Sequence, residues 1–235
     1  MNKEIRLNKA LSMLGVCSRR DADKFIKSGE VFVNNCQVNE LGAKVSLNDK
    51  IRVCDREYIF DDKKQTKVWL YYKPVGLVTT HKDEKGRRTV FDDVRTKLNG
   101  RVVSVGRLDI NSEGLLLLTN DSEFARYAES PKTGWKRHYK VRVFGDITED
   151  ILTQIRRGVV VDGIKYAPME VSVLRETDGK NHWVECVLSE GKNREIRKIF
   201  EHFGLSVNRL IRIKYGEYEL NDMKTGEILN VSSKF

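Results

Sequence analysis

Four consecutive leucines, Leu115 to Leu118, constrain this chain more than any other stretch. They are its longest aliphatic run, well short of the ~18 residues that span a bilayer, so their place is inside a protein core. Gly114 precedes them and Thr119-Asn120-Asp121 follows, and a short apolar run bounded by turn residues reads as a buried strand. A second apolar segment, Arg101-Val102-Val103-Ser104-Val105, lies just upstream. Between the two runs the loop Gly106-Arg107-Leu108-Asp109-Ile110-Asn111-Ser112-Glu113. A loop between buried strands is where a rigid scaffold can present a reactive side chain, which makes Asp109 a candidate. The same Asp, Asn and Ser residues also suit a tight Asx-type connection with no chemistry.

Periodicity organises the remainder. Leu7, Ala10, Leu11 and Leu14 repeat at helical spacing and Gly15 closes them. Ser18 and Asp21 open a second helix, with Ala22, Phe25 and Ile26 as its stripe and Gly29 as its stop. Val31 and Val33 alternate as in a half-buried strand, Asn34-Asn35 supplies a tight hairpin turn, and short strands follow at 51–53 and 58–60. The apolar-free stretch 61–67 predicts a linker, hence domains at 1–62 and 67–235. Beyond it, strands are expected at 68–72, 76–79, 101–105, 115–119, 138–144, 159–161, 168–174, 182–188 and 206–211. Helices are expected at 91–98, 123–129, 148–157 and 193–203, and Asp162-Gly163 marks a hairpin. Strands outnumber helices and do not alternate with them. The predicted class is α+β: a small helix-helix-sheet domain, then a mainly antiparallel mixed sheet flanked by helices and loops.

Charge and missing motifs narrow the function. Lys and Arg number 43 against 34 Asp and Glu, a formal +9, which favours a polyanionic partner such as nucleic acid over a neutral one. The surplus gathers in 130–145, with five basic and no acidic residues, and in 190–215, with seven basic and three acidic. A smaller one-sided patch, Arg6, Lys9, Arg19, Arg20, Lys24 and Lys27, lies on the first two helices. No secretory apolar segment opens the chain and four widely spaced cysteines carry no Cys-x-x-Cys, as expected of a cytoplasmic protein with reduced thiols. Gly158 and Gly163 have phosphate-loop spacing, but Ile164 occupies the lysine position. His81, His138, His182 and His202 stand apart without ligand spacing. Metal, nucleotide and acyl-transfer chemistry all lack their motifs.

Two further segments are candidates. Tyr139 lies in the basic strand Lys136-Arg137-His138-Tyr139-Lys140, an arrangement suited to base stacking on a phosphate-binding surface, or to an ordinary half-buried tyrosine. In Glu190-Gly191-Lys192-Asn193-Arg194-Glu195-Ile196-Arg197-Lys198, the helical stripe is Ile196, Ile199, Phe200 and Phe203. Arg197 falls beside that stripe, placed for a partly buried ion pair, while Arg194 and Lys198 turn away from it.

Arg6-Leu7-Asn8-Lys9-Ala10-Leu11, Ser18-Arg19-Arg20-Asp21-Ala22 and Val31-x-Val33-Asn34 resemble the small RNA-binding domain of the ribosomal protein S-four type. Lys73-Pro74-Val75-Gly76, Gly106-Arg107-Leu108-Asp109, Gly114 through Asp121, Tyr139 with Val141 and Val143, the 190–197 segment and Leu210-Ile211-Arg212 resemble the RsuA branch of the pseudouridine synthases, most of all the B-type synthases of the large ribosomal subunit. Ser112 stands where that family commonly has Thr, and Ser122 where it has Gly. The resemblance implies isomerisation of uridine to pseudouridine in ribosomal RNA by base flipping, with no metal or other cofactor. It implies Asp109 as the essential carboxylate, either attacking C1′ or abstracting a ribose proton. Arg197 would be its ionic partner, and Tyr139 would stack on uracil or take the C5 proton. Arg107, Leu210, Lys73 and Asn193 would bind substrate. Lys136, Arg137, Lys192 and Arg194, with Arg6, Lys9, Arg19, Arg20 and Lys24, would hold RNA. Expected partners are ribosomal RNA or ribosome-assembly intermediates, with no membrane and a monomeric chain. A non-catalytic RNA-binding or assembly protein on the same fold is the competing expectation.

Overall fold

The computed structural model describes residues 4–60, 65–175 and 179–231. In the N-terminal region, α1 (Leu7–Met13) and α2 (Arg19–Lys27) pack on a small sheet ordered Cys36–Gln37, Val31–Val33, Lys50–Val53, Arg56–Ile59. The helices bury Leu7, Ala10, Leu11, Ala22 and Ile26 against Val31 and Ile51. Ser18 caps α2 as its spacing predicts, accepting from the Asp21 amide at 3.1 Å. Asn34 and Asn35 both take positive φ, 49° and 70°, which a tight two-residue hairpin requires. Of the predicted linker 61–67, residues 61–64 lie outside the described residues.

The larger region is built on one mixed sheet. Its strands are β1 (Val68–Lys73), β2 (Val103–Val105), β3 (Glu113–Thr119), β4 (Arg137–Phe144), β5 (Glu170–Arg175), β6 (Asn181–Leu188), β7 (Ser206–Tyr215), β8 (Tyr218–Glu219) and β9 (Ile228–Asn230). The order is β5-β6-β4-β7-β3-β1-β9, with β2 beside β3 and β8 beside β7. Every pairing is antiparallel except β3 with β7. The mainly antiparallel α+β class expected from the strand count is the one adopted. The remaining helices are α3 (Val90–Val94), α4 (Ser122–Glu129), α5 (Glu149–Arg157) and α6 (Glu195–His202). Among the described residues, no helix is long and apolar enough to cross a membrane.

The leucine run explains why this sheet is central. Successive side chains on a strand point to opposite faces. Leu116 and Leu118 enter one core with Val141, Ile196 and Phe200, while Leu115 and Leu117 enter the other with Ala125, Ala128 and Tyr215. Fully burying each leucine contributes about 1.5–3 kcal/mol, so β3 anchors both layers at once. Two expected elements differ. Residues 76–79 form no strand but a loop with a single bridge from Val78 to Thr89, because Gly76 is tied instead to the Ile110 carbonyl at 2.7 Å. The 91–98 helix stops at Val94.

The parallel contact of β3 with β7 needs Gly114. Its φ is +103°, and a Cβ there would stand 2.3 Å from the Arg212 carbonyl oxygen. Gly114→Ala is therefore expected to lower unfolding free energy by about 3 kcal/mol, read as a fall in the urea midpoint; a midpoint unchanged from wild type would contradict the tight contact.

Candidate active site

The loop from Gly106 to Ser112 is held by its backbone, from several directions. Thr79 Oγ1 donates to the Leu108 carbonyl at 2.8 Å. The Gly76 amide takes the Ile110 carbonyl. Arg197 Nη2 donates to the Asn111 carbonyl at 2.8 Å, while its Nη1 donates to the Val207 carbonyl at 2.8 Å. Lys73, fully buried at the end of β1, donates to the carbonyls of Pro74 (2.9 Å), Asp109 (3.1 Å) and Ser112 (2.8 Å). Each carbonyl from Leu108 to Ser112 thus accepts a hydrogen bond. At the loop's start, the Gly106 amide donates to Glu129 Oε1 at 2.7 Å. Burial pulls the Lys73 ammonium down to about 8, against the attraction of Asp109 and Glu113.

So fixed, the loop turns Asp109 into a cleft that also takes side chains from Tyr139, Leu210, Ser112, Glu195 and Ile196. Tyr139 lies on β4 between Arg212 of β7 and Cys186 of β6, and is 8 % exposed. Leu210 comes from β7 and Arg107 stands exposed at the mouth. Of the trio expected from the sequence, Asp109 and Tyr139 share the cleft, and Arg197 reaches the loop through its backbone. Arg197 does not ion-pair with Asp109. The salt bridge to its Oδ2 comes from Arg194 Nη1 at 3.8 Å, from a residue whose φ of +52° starts α6. Arg197 is instead a backbone clamp, its guanidinium spanning the Asp109 loop and β7. Burial lowers its affinity for the proton, the neighbouring Arg194 adds to this, and Asp109 opposes it. Arg194 is exposed as its spacing predicts, and its left-handed N-cap backbone brings the guanidinium to Asp109 as well.

Two expected contacts with substrate or RNA, Lys73 and Arg137, are internal instead. Lys73 has no exposed surface and three carbonyl partners, so it supports the loop and does not reach a ligand. Arg137 is 7 % exposed and donates to the carbonyls of Ser189 and Glu129 and to the Tyr215 hydroxyl. Lys136 pairs with Glu170 at 2.6 Å and Lys192 pairs with Glu190. Lys9 pairs with Glu123 of α4, whereas Arg6, Arg19, Arg20 and Lys24 are exposed. Asn193 is exposed at the rim of the wider cleft.

Three site groups escaped sequence reasoning. Arg212 is 2 % exposed, donates from Nε to the Leu115 carbonyl at 2.7 Å, and lines the wider cleft. Glu113 is clamped by Arg209 through Nε at 2.6 Å and receives the Tyr72 hydroxyl at 3.2 Å. Glu195 is buried four residues before Ile199 on one helical face, a spacing that could have flagged it.

One cleft thus gathers a carboxylate on a pinned loop, a tyrosine, a leucine and two arginines. The chain belongs to the RNA pseudouridylate synthase family, which matches residues 67–202, and residues 5–51 match the S4 domain. It is 46 % identical over 231 residues to an uncharacterized RNA pseudouridine synthase of Rickettsia bellii, covering 97 % of each chain. To ribosomal large subunit pseudouridine synthase B of Buchnera aphidicola it is 39 % identical, covering 92 % of this chain and 88 % of that one. A pseudouridylate synthase crystal structure superposes with a TM-score of 0.68 at 25 % identity, over 98 % of this chain and 97 % of the other.

Lys73→Met keeps the apolar stem but removes the donor from the Pro74 and Ser112 carbonyls. Buried acceptors left without donors cost about 1–3 kcal/mol each. Urea unfolding should show a loss of about 2–4 kcal/mol; wild-type stability would mean that the ammonium is dispensable to the loop.

Proposed function

We propose that this chain isomerises uridine to pseudouridine in ribosomal RNA, with large-subunit RNA as the substrate. The supporting observation is the Asp109 carboxylate, held in one cleft with Tyr139 and Leu210 on a loop whose carbonyls from Leu108 to Ser112 all accept hydrogen bonds. The names of the B-type relatives support the ribosomal target. In this reading residues 1–62 bind structured RNA and residues 67–235 carry the reaction, in a monomer acting in the cytoplasm.

The reaction breaks the C1′–N1 bond, turns the uracil, forms C1′–C5, and moves a proton from C5 while N1 regains one. The target nucleotide has to leave its stack, at a cost of a few kcal/mol. Phosphate contacts from exposed arginines offset that cost, and Arg107 at the mouth fills the vacated place. Leu210 and Tyr139 provide apolar and aromatic surface for the ring. Asp109 then acts at the sugar, either as a nucleophile on C1′ or as the base that takes a ribose proton; both roles use a carboxylate fixed before substrate arrives, which lowers the reorganisation needed in the transition state. Arg194 balances its charge, and Arg197 keeps the loop beneath it in place.

Release of tritium from a [5-³H]uridine-labelled large-subunit RNA transcript tests this. Asp109→Asn should reduce release by roughly a thousandfold or more while leaving RNA affinity within about threefold, since it removes no phosphate contact. Binding without release by the wild type would favour the non-catalytic reading, and free uracil among the products would mark a glycosidase.

The N-terminal patch has its own test. Replacing Arg6, Arg19 and Arg20 together with Ala should weaken transcript binding and flatten its salt dependence, by a slope of about 0.7–0.9 for each phosphate no longer neutralised. An unchanged slope would remove these residues from the RNA interface.

A further inference from the structure

A second cavity lies apart from the Asp109 cleft, where the turn after α1 meets the larger region. Its volume is about 180 Å³, and its walls include Val16, His81, Phe91, Arg95 and Arg101. The His81 imidazole lies flat on the Phe91 ring, with centroids 3.6 Å apart and planes 13° from parallel. Phe91 is buried, whereas His81 is exposed. One face of the imidazole is covered by Phe91, so the surface left open is its other face and its edge. Contact with Phe91 and the nearby Arg101 and Arg95 push the imidazole down to about 4. At neutral pH it therefore offers an uncharged aromatic face.

The charge of the cavity is one-sided. Among the described residues that line it, two are arginine and none is acidic. Arg101 is half-buried and forms no salt bridge or hydrogen bond with another described residue, unlike Arg137, Arg197 and Arg212, which end on carbonyls. Its field reaches His81 on one side and Cys17 and Asp21 on the other. Arg95, exposed at the rim, meets Asp92 only at 4.0 Å. A guanidinium partly withdrawn from water without a counter-charge is unfavourable, and an incoming anion relieves it. An aromatic face beside two guanidiniums suits a nucleotide, with the base on the ring and the phosphate on the cations. A cavity of ~150 Å³ already admits benzene, so this one has room for a base ring.

Resting on the reading of the chain as an RNA-modifying enzyme, we propose that this cavity is a second nucleotide site, in which an unpaired nucleotide of the RNA stacks on His81 and sets its phosphate against Arg101 and Arg95. The chain itself joins the two sites. Thr79 lines the wider Asp109 cleft and donates to the Leu108 carbonyl. His81 stands two residues further on, and two residues span at most about 7 Å. An RNA strand leaving the cleft over Val78 and Thr79 meets His81 next. The target uridine is then chosen partly by an unpaired neighbour at a fixed reach, since unstacked bases are what a protein can read in RNA.

The test is equilibrium binding of the large-subunit RNA transcript across a salt series, with tritium release and thermal melting alongside, for wild type, His81→Leu, His81→Phe and Arg101→Gln. His81→Leu still covers Phe91 but has no aromatic face, and should weaken binding about fivefold or more with the salt slope unchanged. His81→Phe restores the face and should bind like wild type. Arg101→Gln should reduce the salt slope by about 0.7–0.9. In His81→Leu and Arg101→Gln, KM should rise while kcat stays close to wild type, as for lost binding contacts remote from the chemistry. Wild-type affinity and slope in both variants would overturn the site, whether the cavity stays empty or holds something other than RNA. A loss in His81→Leu that follows a lower melting temperature and is not rescued by His81→Phe would reduce the stack to packing, and overturn it too. If wild type binds the transcript but releases no tritium, the synthase reading falls, while these losses of affinity and slope still establish the nucleotide site. A wild type that does not bind the transcript removes both.

Discussion

The rest of the site depends on one buried ammonium. Lys73 ends β1 opposite Gly114 of β3, and this register puts its Nζ beneath the turn that carries Asp109. A slip of one residue would send the side chain to the other face of the sheet. An unpaired ammonium cannot be buried at reasonable cost, but this one meets three carbonyl oxygens, the number of its protons. The consequence runs in both directions. The carbonyls make the buried charge tolerable, and the charge makes a turn full of inward-facing carbonyls tolerable. Neither half would be stable without the other, so the Asp109 turn has one geometry and not several.

The basic surplus divides into two populations with different work. Arg137, Arg212, Arg197 and Lys73 are internal or nearly so, and each donates to at least one backbone carbonyl. They hold together separate parts of the chain: β4 with the end of α4, β7 with β3, α6 with the Asp109 loop. Arg107, Arg194, Arg19 and Arg20 are exposed, with Arg194 turned to the Asp109 carboxylate. A count of charges by sequence window cannot separate these groups, because it sees composition and not which guanidinium found a carbonyl. Arginine suits the internal task, since its planar fork reaches two acceptors at once and it stays charged when buried.

Local chemistry was legible in the sequence wherever it was decided locally. The Leu115–Leu118 strand, the Ser18 cap, the Asn34-Asn35 turn and the Asp162-Gly163 hairpin all follow from neighbours within a few residues. The juxtaposition of Asp109, Tyr139 and Leu210 was reached through resemblance, not periodicity. What could not be read was the choice between partners supplied by the fold. Residues 76–79 look like a strand, yet the Gly76 amide and the Thr79 hydroxyl are taken by the Asp109 loop. Arg194, exposed as expected, takes the Asp109 ion pair expected of the partly buried Arg197, because a left-handed residue precedes α6 where an ideal helix would continue. Lys73 and Arg137 look like surface cations in a basic motif until three-dimensional packing supplies their acceptors.

Helix α6 brings these threads together. Its apolar stripe of Ile196, Ile199 and Phe200 is buried in the same core as Leu116 and Leu118, so its seat is set by the leucine strand. From that seat it sends Arg197 to the Asn111 carbonyl, Arg194 to Asp109 and Glu195 into the cleft. Docking of one amphipathic helix thus fixes the loop, the counter-charge and the buried acceptor together, within four residues of sequence. Such a helix cannot drift without disturbing all three, and the left-handed backbone of Arg194 is tolerable because the packing on either side over-determines it. The left-handed residue at the head of α6 and the buried carboxyl of Glu195 lie side by side for one reason: the hydrophobic face is strong enough to hold polar groups in a geometry they would not adopt alone.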